Sequence, residues 1–330
     1  DNDNLIEMSS RCLLIENGDR LTLVDTGMGN KQSDKFFSHY KRWGDFELTK
    51  SINEAGFSID EVTDVFLTHL HFDHCGGASY INSKNGKNEV LFKNAHYWSN
   101  QKHWEWATNP NPREKASFLT ENLSPIQKSG RLKFLEEKNR GFNYYGHLGF
   151  EVMFVNGHTE KQMIPKFRYK NKDIVYVADL IPTAGHIPLP YLMGYDVRPL
   201  VTMQEKSLFL RSAFKNGEYL FMEHDPYNEI VSLKNTEKGI RKNARNKEKR
   251  RKTNNQQKAL TISKNQQATA KTHGRGAGQT DTGWGAGHPD TAPVRRPQLT
   301  TPPLRQRKRK TPHYRWGTEW GGLHLSLIHI

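Results

Sequence analysis

Residues 68–74 read Thr68-His69-Leu70-His71-Phe72-Asp73-His74, on a loop that leaves the short apolar stretch Asp64 to Thr68. Three imidazoles and one carboxylate within six consecutive residues is a density that a bound metal explains. His69 and His71, one residue apart, can turn toward one ion, and the adjacent Asp73 and His74 toward another, with ligand distances of ~2.0–2.2 Å. Gly76 and Gly77 then let the backbone bend tightly. The bland alternative is a polar loop with coincidental histidines, and residues further along weigh against it.

Those residues are His158 in Asn156-Gly157-His158-Thr159, Asp179 in Ala178-Asp179-Leu180 and His224 in Glu223-His224-Asp225. Taken singly, each would default to a hydrogen-bonded structural role. Each follows a predicted strand, so all three are expected at one edge of a sheet, beside the His69 loop. They supply the remaining ligands of a two-ion site, with Asp179 as candidate bridge and the ions roughly 3.5–4 Å apart.

Working outward, Arg11 to Glu16 and Leu21 to Asp25 are β-rich segments joined by Asn17-Gly18-Asp19-Arg20, which predicts a hairpin. Lys31 to Lys41 and Leu48 to Ala55 show helical spacing, the second stopped by Gly56. Asp64 to Thr68, Glu89 to Phe92, Phe150 to Val155, Met163 to Tyr169, Asp173 to Ala178 and Tyr219 to Glu223 predict strands. Arg113 to Leu123 and Thr202 to Lys215 predict helices. Strands interrupted by helices point to a layered α/β domain over residues 1–240. Tyr97, Trp98, Trp104 and Trp106 are read as helix packing rather than a substrate groove. His96, His103 and His147 are read as ordinary polar residues, and Cys75 as small packing. The segment Ala184 to Tyr191 follows Asp179 and can overhang a cleft with His186 or Tyr191 as substrate donors, although a proline-rich loop is more often merely rigid.

Taken together, these motifs resemble the metallo-β-lactamase superfamily, and within it the lactonase-like branch, over roughly Arg11 to Gly239. The matching pieces are Val24-Asp25-Thr26-Gly27, the HxHxDH pattern at His69 to His74, Gly157-His158-Thr159, Asp179 and His224, in family order. The resemblance implies a four-layer αββα sandwich. It also implies His69, His71 and His158 on one ion, Asp73, His74 and His224 on the other, Asp179 between them, and Asp25 behind the ligands. The cofactors it implies are two divalent ions, zinc first, with Mn, Fe or Co according to availability. The chemistry it implies is attack by a metal-bridging hydroxide on a lactone, ester or thioester carbonyl, as in an N-acyl-homoserine lactonase. Asp73 and Asp179 would then be the catalytic carboxylates, with Asp73 relaying the proton to the leaving alkoxide. Classical β-lactamases of the fold lack the His after the motif Asp and use Cys where this chain has Asp179. Lactonases typically carry Tyr three residues after the bridging Asp, where this chain has Pro182.

Composition separates the chain into two parts. Of 49 Lys and Arg, 20 lie from Arg241 onward, against 4 of the 35 Asp and Glu, which leaves residues 1–240 with 29 basic and 31 acidic groups. Residues 241–330 are Lys/Arg/Asn/Gln-rich, then Gly/Thr/Pro-rich, and are expected to be disordered. An alternative function follows from them: a metal-dependent phosphodiesterase or nuclease whose basic tail binds nucleic acid. Nucleic acid is disfavoured because the tail has almost no aromatic interleaving before Tyr314 and Trp316 and the rest is slightly acidic. A small-molecule partner is favoured. The last six residues, Leu-Ser-Leu-Ile-His-Ile, can be encoded by a transposon-end adapter, so the tail is expected to be partly a sequencing artefact.

Two cysteines, Cys12 and Cys75, cannot form a disulfide framework, and no segment has the apolar length of a membrane span. The chain starts at Asp1 without Met or a leader, read as a processed or truncated start. A cytoplasmic location is expected, with secretion left open.

Overall fold

The computed structural model describes residues 5–44 and 47–243, together with the backbone of 323–329. The first sheet begins with β1 (Arg11–Asn17) and β2 (Arg20–Val24), antiparallel about a turn in which Gly18 takes φ 60°. Helices α1 (Asp34–Ser38) and α2 (Leu48–Glu54) lead to β3 (Asp64–Phe66), parallel to β2, and the one-turn helix α3 (Phe72–Cys75) follows it. A small hairpin of β4 (Ser79–Ile81) and β5 (Asn88–Val90) stands apart. The main sheet continues in parallel with β6 (His96–Ser99), α4 (Gln101–Thr108), α5 (Thr120–Lys128) and β7 (Leu132–Phe134).

The second sheet runs β8 (Asn143–Tyr145), β9 (Phe150–Val155), β10 (Gln162–Tyr169) and β11 (Lys172–Tyr176) as antiparallel neighbours. Helix α6 (Pro199–Asn216) then crosses over, so β12 (Tyr219–Phe221) is parallel to β11, and β13 (Ile230–Val231) closes the edge. Proline at the start of α6 and Gly217 in the left-handed region at its end are the signals that open and stop a helix.

The period of two along each strand divides the core. Leu13, Val24 and Phe66 are paired across β1, β2 and β3 and face the second sheet, sharing a core with Phe150, Val152 and Ile164. Their neighbours Leu14, Leu23 and Val65 point the other way, against Ile52 of α2, Trp104 of α4 and Ile126 of α5. Phe209, Leu210 and Ala213 of α6 close the far side of the second sheet. The layers are therefore helix, sheet, sheet, helix, the expected αββα sandwich. Phe66, wholly buried and edge-on to Phe150 at 5.4 Å, contributes on the order of 1.5–3 kcal/mol by burial.

Some elements differ from the sequence reading. Tyr97 and Trp98 lie in β6, because an interior parallel strand shows no polar alternation and its aromatic run reads equally as a buried helix. Helical structure near Arg113 to Leu123 begins only at Thr120, since residues 112–117 form turns. A further hairpin, β14 (Leu233–Thr236) with β15 (Gly239–Lys242), runs past the expected boundary at residue 240. The disorder expected of residues 241–330 falls mostly outside the described residues. Within them, β16 (Leu323–His329) pairs antiparallel with β1, Arg11 opposite His329. Among the described residues, no helix is long and apolar enough to cross a membrane.

Candidate metal centre

Every strand that feeds the site ends at the same edge of the sandwich. Beyond β3, the backbone N–H and hydroxyl of Thr68 donate to the Asp25 carboxylate at 2.8 and 2.7 Å, which fixes the loop on the end of β2. One residue on from His69, the Leu70 N–H donates to Nε2 of His103 at 2.9 Å. His71 caps α3, and that single turn carries Asp73 and His74. The backbone after the turn is packed so closely that a Cβ on Gly76 would sit 2.1 Å from the Met28 carbonyl oxygen, and one on Gly77 2.2 Å from that of Thr26. His158 follows β9, Asp179 lies in the turn after β11, and His224 follows β12.

Two clusters result. In one, His71 Nδ1 lies 3.1 Å from His69 Nε2 and 3.2 Å from His158 Nε2. In the other, His224 Nε2 lies 3.3 Å from His74 Nε2, with the Asp73 carboxylate 3.7 and 3.9 Å from those two nitrogens. Asp179 stands between them. Its Oδ2 is 3.1 Å from His158 Nε2 and 4.0 Å from His69 Nε2, while its Oδ1 is 2.9 Å from His224 Nε2 and 3.6 Å from His74 Nε2. All seven residues singled out in the sequence are thus brought together.

The donor set suits cations. Three imidazole nitrogens converge on one point in the first cluster, and a single N–H cannot satisfy the other two. The Asp179 carboxylate is buried among the imidazoles of His158, His74 and His224, and a cation offsets the cost of burying its charge. Burial pushes the His69 and His71 pKa values down, keeping neutral lone pairs available. Burial opposes charge on His74 too, yet Glu223, Asp73 and Asp179 outweigh it and raise its pKa well above the usual range. His224 is raised to about 9, because Asp179 and Glu223 outweigh its burial. The carboxylates that hold protons there would hold positive ions in their place.

Behind these groups stands an outer shell, which orients ligating imidazoles. His74 Nδ1 lies 3.0 Å from Asp25 and 3.2 Å from Glu223. His158 Nδ1 lies 3.0 Å from Asp196, and His71 Nε2 lies 3.3 Å from Glu114. Glu114 also accepts from Thr159 at 2.6 Å, Asn111 at 2.6 Å and the Trp106 indole at 2.7 Å. Glu114, Asp196 and Glu223 are not singled out by the sequence reading, and His103, read there as an ordinary polar residue, is buried and accepts from the Leu70 N–H. Glu223 was adjacent to a picked histidine and could have been found as a charge at the end of an apolar strand; the other three carry no spacing signal.

Comparison with known proteins gives the family of this chain. The family model described as the metallo-beta-lactamase superfamily matches residues 5–224. A probable metal-dependent hydrolase from Staphylococcus aureus has a similar structure, at 21% identity and TM-score 0.61, over 68% of this chain and 77% of that one. AidC, a dizinc quorum-quenching lactonase solved with a homoserine product, is similar at 25% identity and TM-score 0.59, over 72% and 80% of the two chains. The transcription termination factor FttA of Methanocaldococcus jannaschii is 31% identical over 70 residues, which span 21% of this chain and only 9% of that protein. With the family match, the αββα layers and the His/Asp clusters together, this chain belongs to the metallo-beta-lactamase superfamily.

Proposed function

We propose that the centre holds two divalent ions and hydrolyses a lactone, ester or thioester carbonyl in a small molecule. His69, His71 and His158 would hold one ion, Asp73, His74 and His224 the other, and Asp179 would lie between them. The observation that carries this reading is Asp179 itself, with one oxygen toward each cluster. Bound ions of this kind supply Lewis acidity and bring the pKa of water near neutrality. The likeness to a dizinc lactonase favours zinc and a lactone, with Mn, Fe and Co accepted by the same donors.

The chain's own groups divide the remaining work. Asp73 is the one carboxylate of the set with appreciable exposure, 24% of its side chain against 4% for Asp179. It is placed to take a proton from the nucleophilic water and deliver it to the leaving alkoxide. Asp179, held ionised against its burial by His224, His158 and His74, keeps the two clusters in register.

The test is metal content of the full chain, paired with hydrolysis of an acyl-homoserine lactone, a thioester and bis-p-nitrophenyl phosphate. Two ions with carbonyl turnover support the reading. Phosphodiester turnover alone would instead favour the nuclease class, and a folded but metal-free and inert protein would sink both.

A further inference from the structure

The segment from Pro182 to Asp196 connects the two sides of the centre and is staked along its length. At its start, the His224 N–H donates to the Pro182 carbonyl at 3.2 Å, and the Ala184 N–H donates to the Asp225 carboxylate at 2.9 Å. At its end, Arg113 donates to the carbonyls of Gly194 and Asp196 at 2.7 and 3.2 Å, and the Asp196 carboxylate reaches His158. Its middle rests on Lys206 of α6, whose Nζ donates to the carbonyls of Tyr191, His186 and Pro188 at 2.6, 3.0 and 3.3 Å.

Lys206 is wholly buried, where lysine is rarely found unless paired. Its partners at hydrogen-bond distance are three loop carbonyls rather than a carboxylate. An aliphatic residue would pack α6 against the core without burying an ammonium, so helix packing alone does not account for a lysine here. The three carbonyls do, because one ammonium fixes the path of residues 186–191.

That path sets His186 two residues beyond Ala184, whose N–H is held by Asp225, the neighbour of His224. His186 is half-buried, its Nδ1 lies 2.8 Å from the Thr183 hydroxyl, and its Nε2 has no partner among the described residues. Burial and Lys206 hold the imidazole below its ordinary pKa, so it is neutral near pH 7. In the tautomer in which the Thr183 hydroxyl donates to Nδ1, the proton sits on Nε2.

We propose that His186 Nε2–H donates to a substrate oxygen at this centre, and that Lys206 is the positioning residue that holds His186 there. The inference rests on the hydrolase reading of the centre and assigns the hydrogen-bond donor that Pro182 cannot provide.

The experiment compares wild type with His186→Ala, His186→Gln, Lys206→Met and the His186→Ala/Lys206→Met double variant. Metal content, kcat, KM and amide exchange over residues 183–195 are measured, on whichever of the three test substrates the wild type turns over. Metal content is expected to stay at the wild-type value throughout. In His186→Ala, kcat should fall roughly a hundredfold, the scale for losing one donor to a developing oxyanion. His186→Gln, which keeps a donor, should recover part of that loss. Lys206→Met should lower kcat in the same direction and speed exchange at residues 186–191. The double variant should be little worse than His186→Ala alone, since both changes remove one interaction. A kcat for His186→Ala within about twofold of wild type overturns the proposal, as do two losses that simply multiply. If Lys206→Met fails to fold, the His186 pair still decides the donor role. Phosphodiester rather than carbonyl turnover in wild type would remove the carbonyl reading and leave this comparison intact.

Discussion

The Asp25 carboxylate lies 3.0 Å from Nδ1 of His74, and both side chains are wholly buried. Asp25 also accepts both the N–H and the hydroxyl of Thr68, so one carboxylate ties the end of β2 to the start of the His69 loop and to the imidazole of α3. Metal-facing nitrogens are aimed by what the opposite nitrogen meets. Replacing Asp25 by Asn should therefore lower metal affinity by ~10–100-fold while leaving circular dichroism close to wild type. Competition with a chelator reads the affinity, and an unchanged metal dissociation constant would remove Asp25 from the site.

Gly157 precedes His158 against the first turn of α6, where an added Cβ would lie 2.3 Å from the Thr202 nitrogen. Backbone cannot yield as a flexible side chain does. Gly157→Ala should cost on the order of 1–3 kcal/mol, the range for overpacking, and should lower metal occupancy by displacing His158. Denaturant unfolding and metal analysis check both parts; full stability with full occupancy would contradict the packing argument.

Lys206 makes stability depend on alkaline pH. Burial lowers its pKa from 10.5 to about 8 in the folded chain, with the nearby Asp196 opposing the shift and His186 the other titratable group beside it. Between those values the unfolded chain holds a proton that the folded chain has released, so folding gains as pH rises from 8 to 10.5. The neutral amine keeps two N–H donors for the loop carbonyls. Stability of wild type relative to Lys206→Met should therefore move in favour of wild type across that window. Urea titrations of both proteins near neutrality and in the alkaline range read the difference; parallel pH curves would contradict it.

Most of the architecture and the inner residues of the centre were legible in the sequence, for identifiable reasons. His69, His71, Asp73 and His74 fall within six consecutive residues, which is a local signal, whereas His158, Asp179 and His224 each follow a predicted strand and stand out only through their order along the chain. β9 alternates buried and part-buried positions, and the Arg11 to Val24 hairpin is marked by its Asn17-Gly18 turn. The illegible parts depend on distant pairing. β6 to β8 are three or four residues long and become strands only through their neighbours. Glu114 and His103 reach the His69 to His74 loop from the helical region around α4, and Asp196 reaches His158 across 38 residues. Nothing local marks such residues, because their role exists only in the folded chain.

The proton relay proposed for Asp73 can be separated from its part in the fold. Asp73→Asn keeps an oxygen for the second cluster but cannot carry a proton, so kcat should fall by ~10²–10⁴-fold with the seven-residue geometry otherwise kept. Single-turnover rates across pH read this effect, and an unaltered pH profile would place the proton relay elsewhere.

The most direct test of the two-ion account is the number of metal ions per full-length chain in wild type and in Asp179→Ala. Asp179 turns one oxygen toward each cluster. The account predicts two ions in wild type and a loss of stoichiometry together with hydrolysis in the variant. One ion in wild type, or two ions and undiminished hydrolysis in Asp179→Ala, would contradict it.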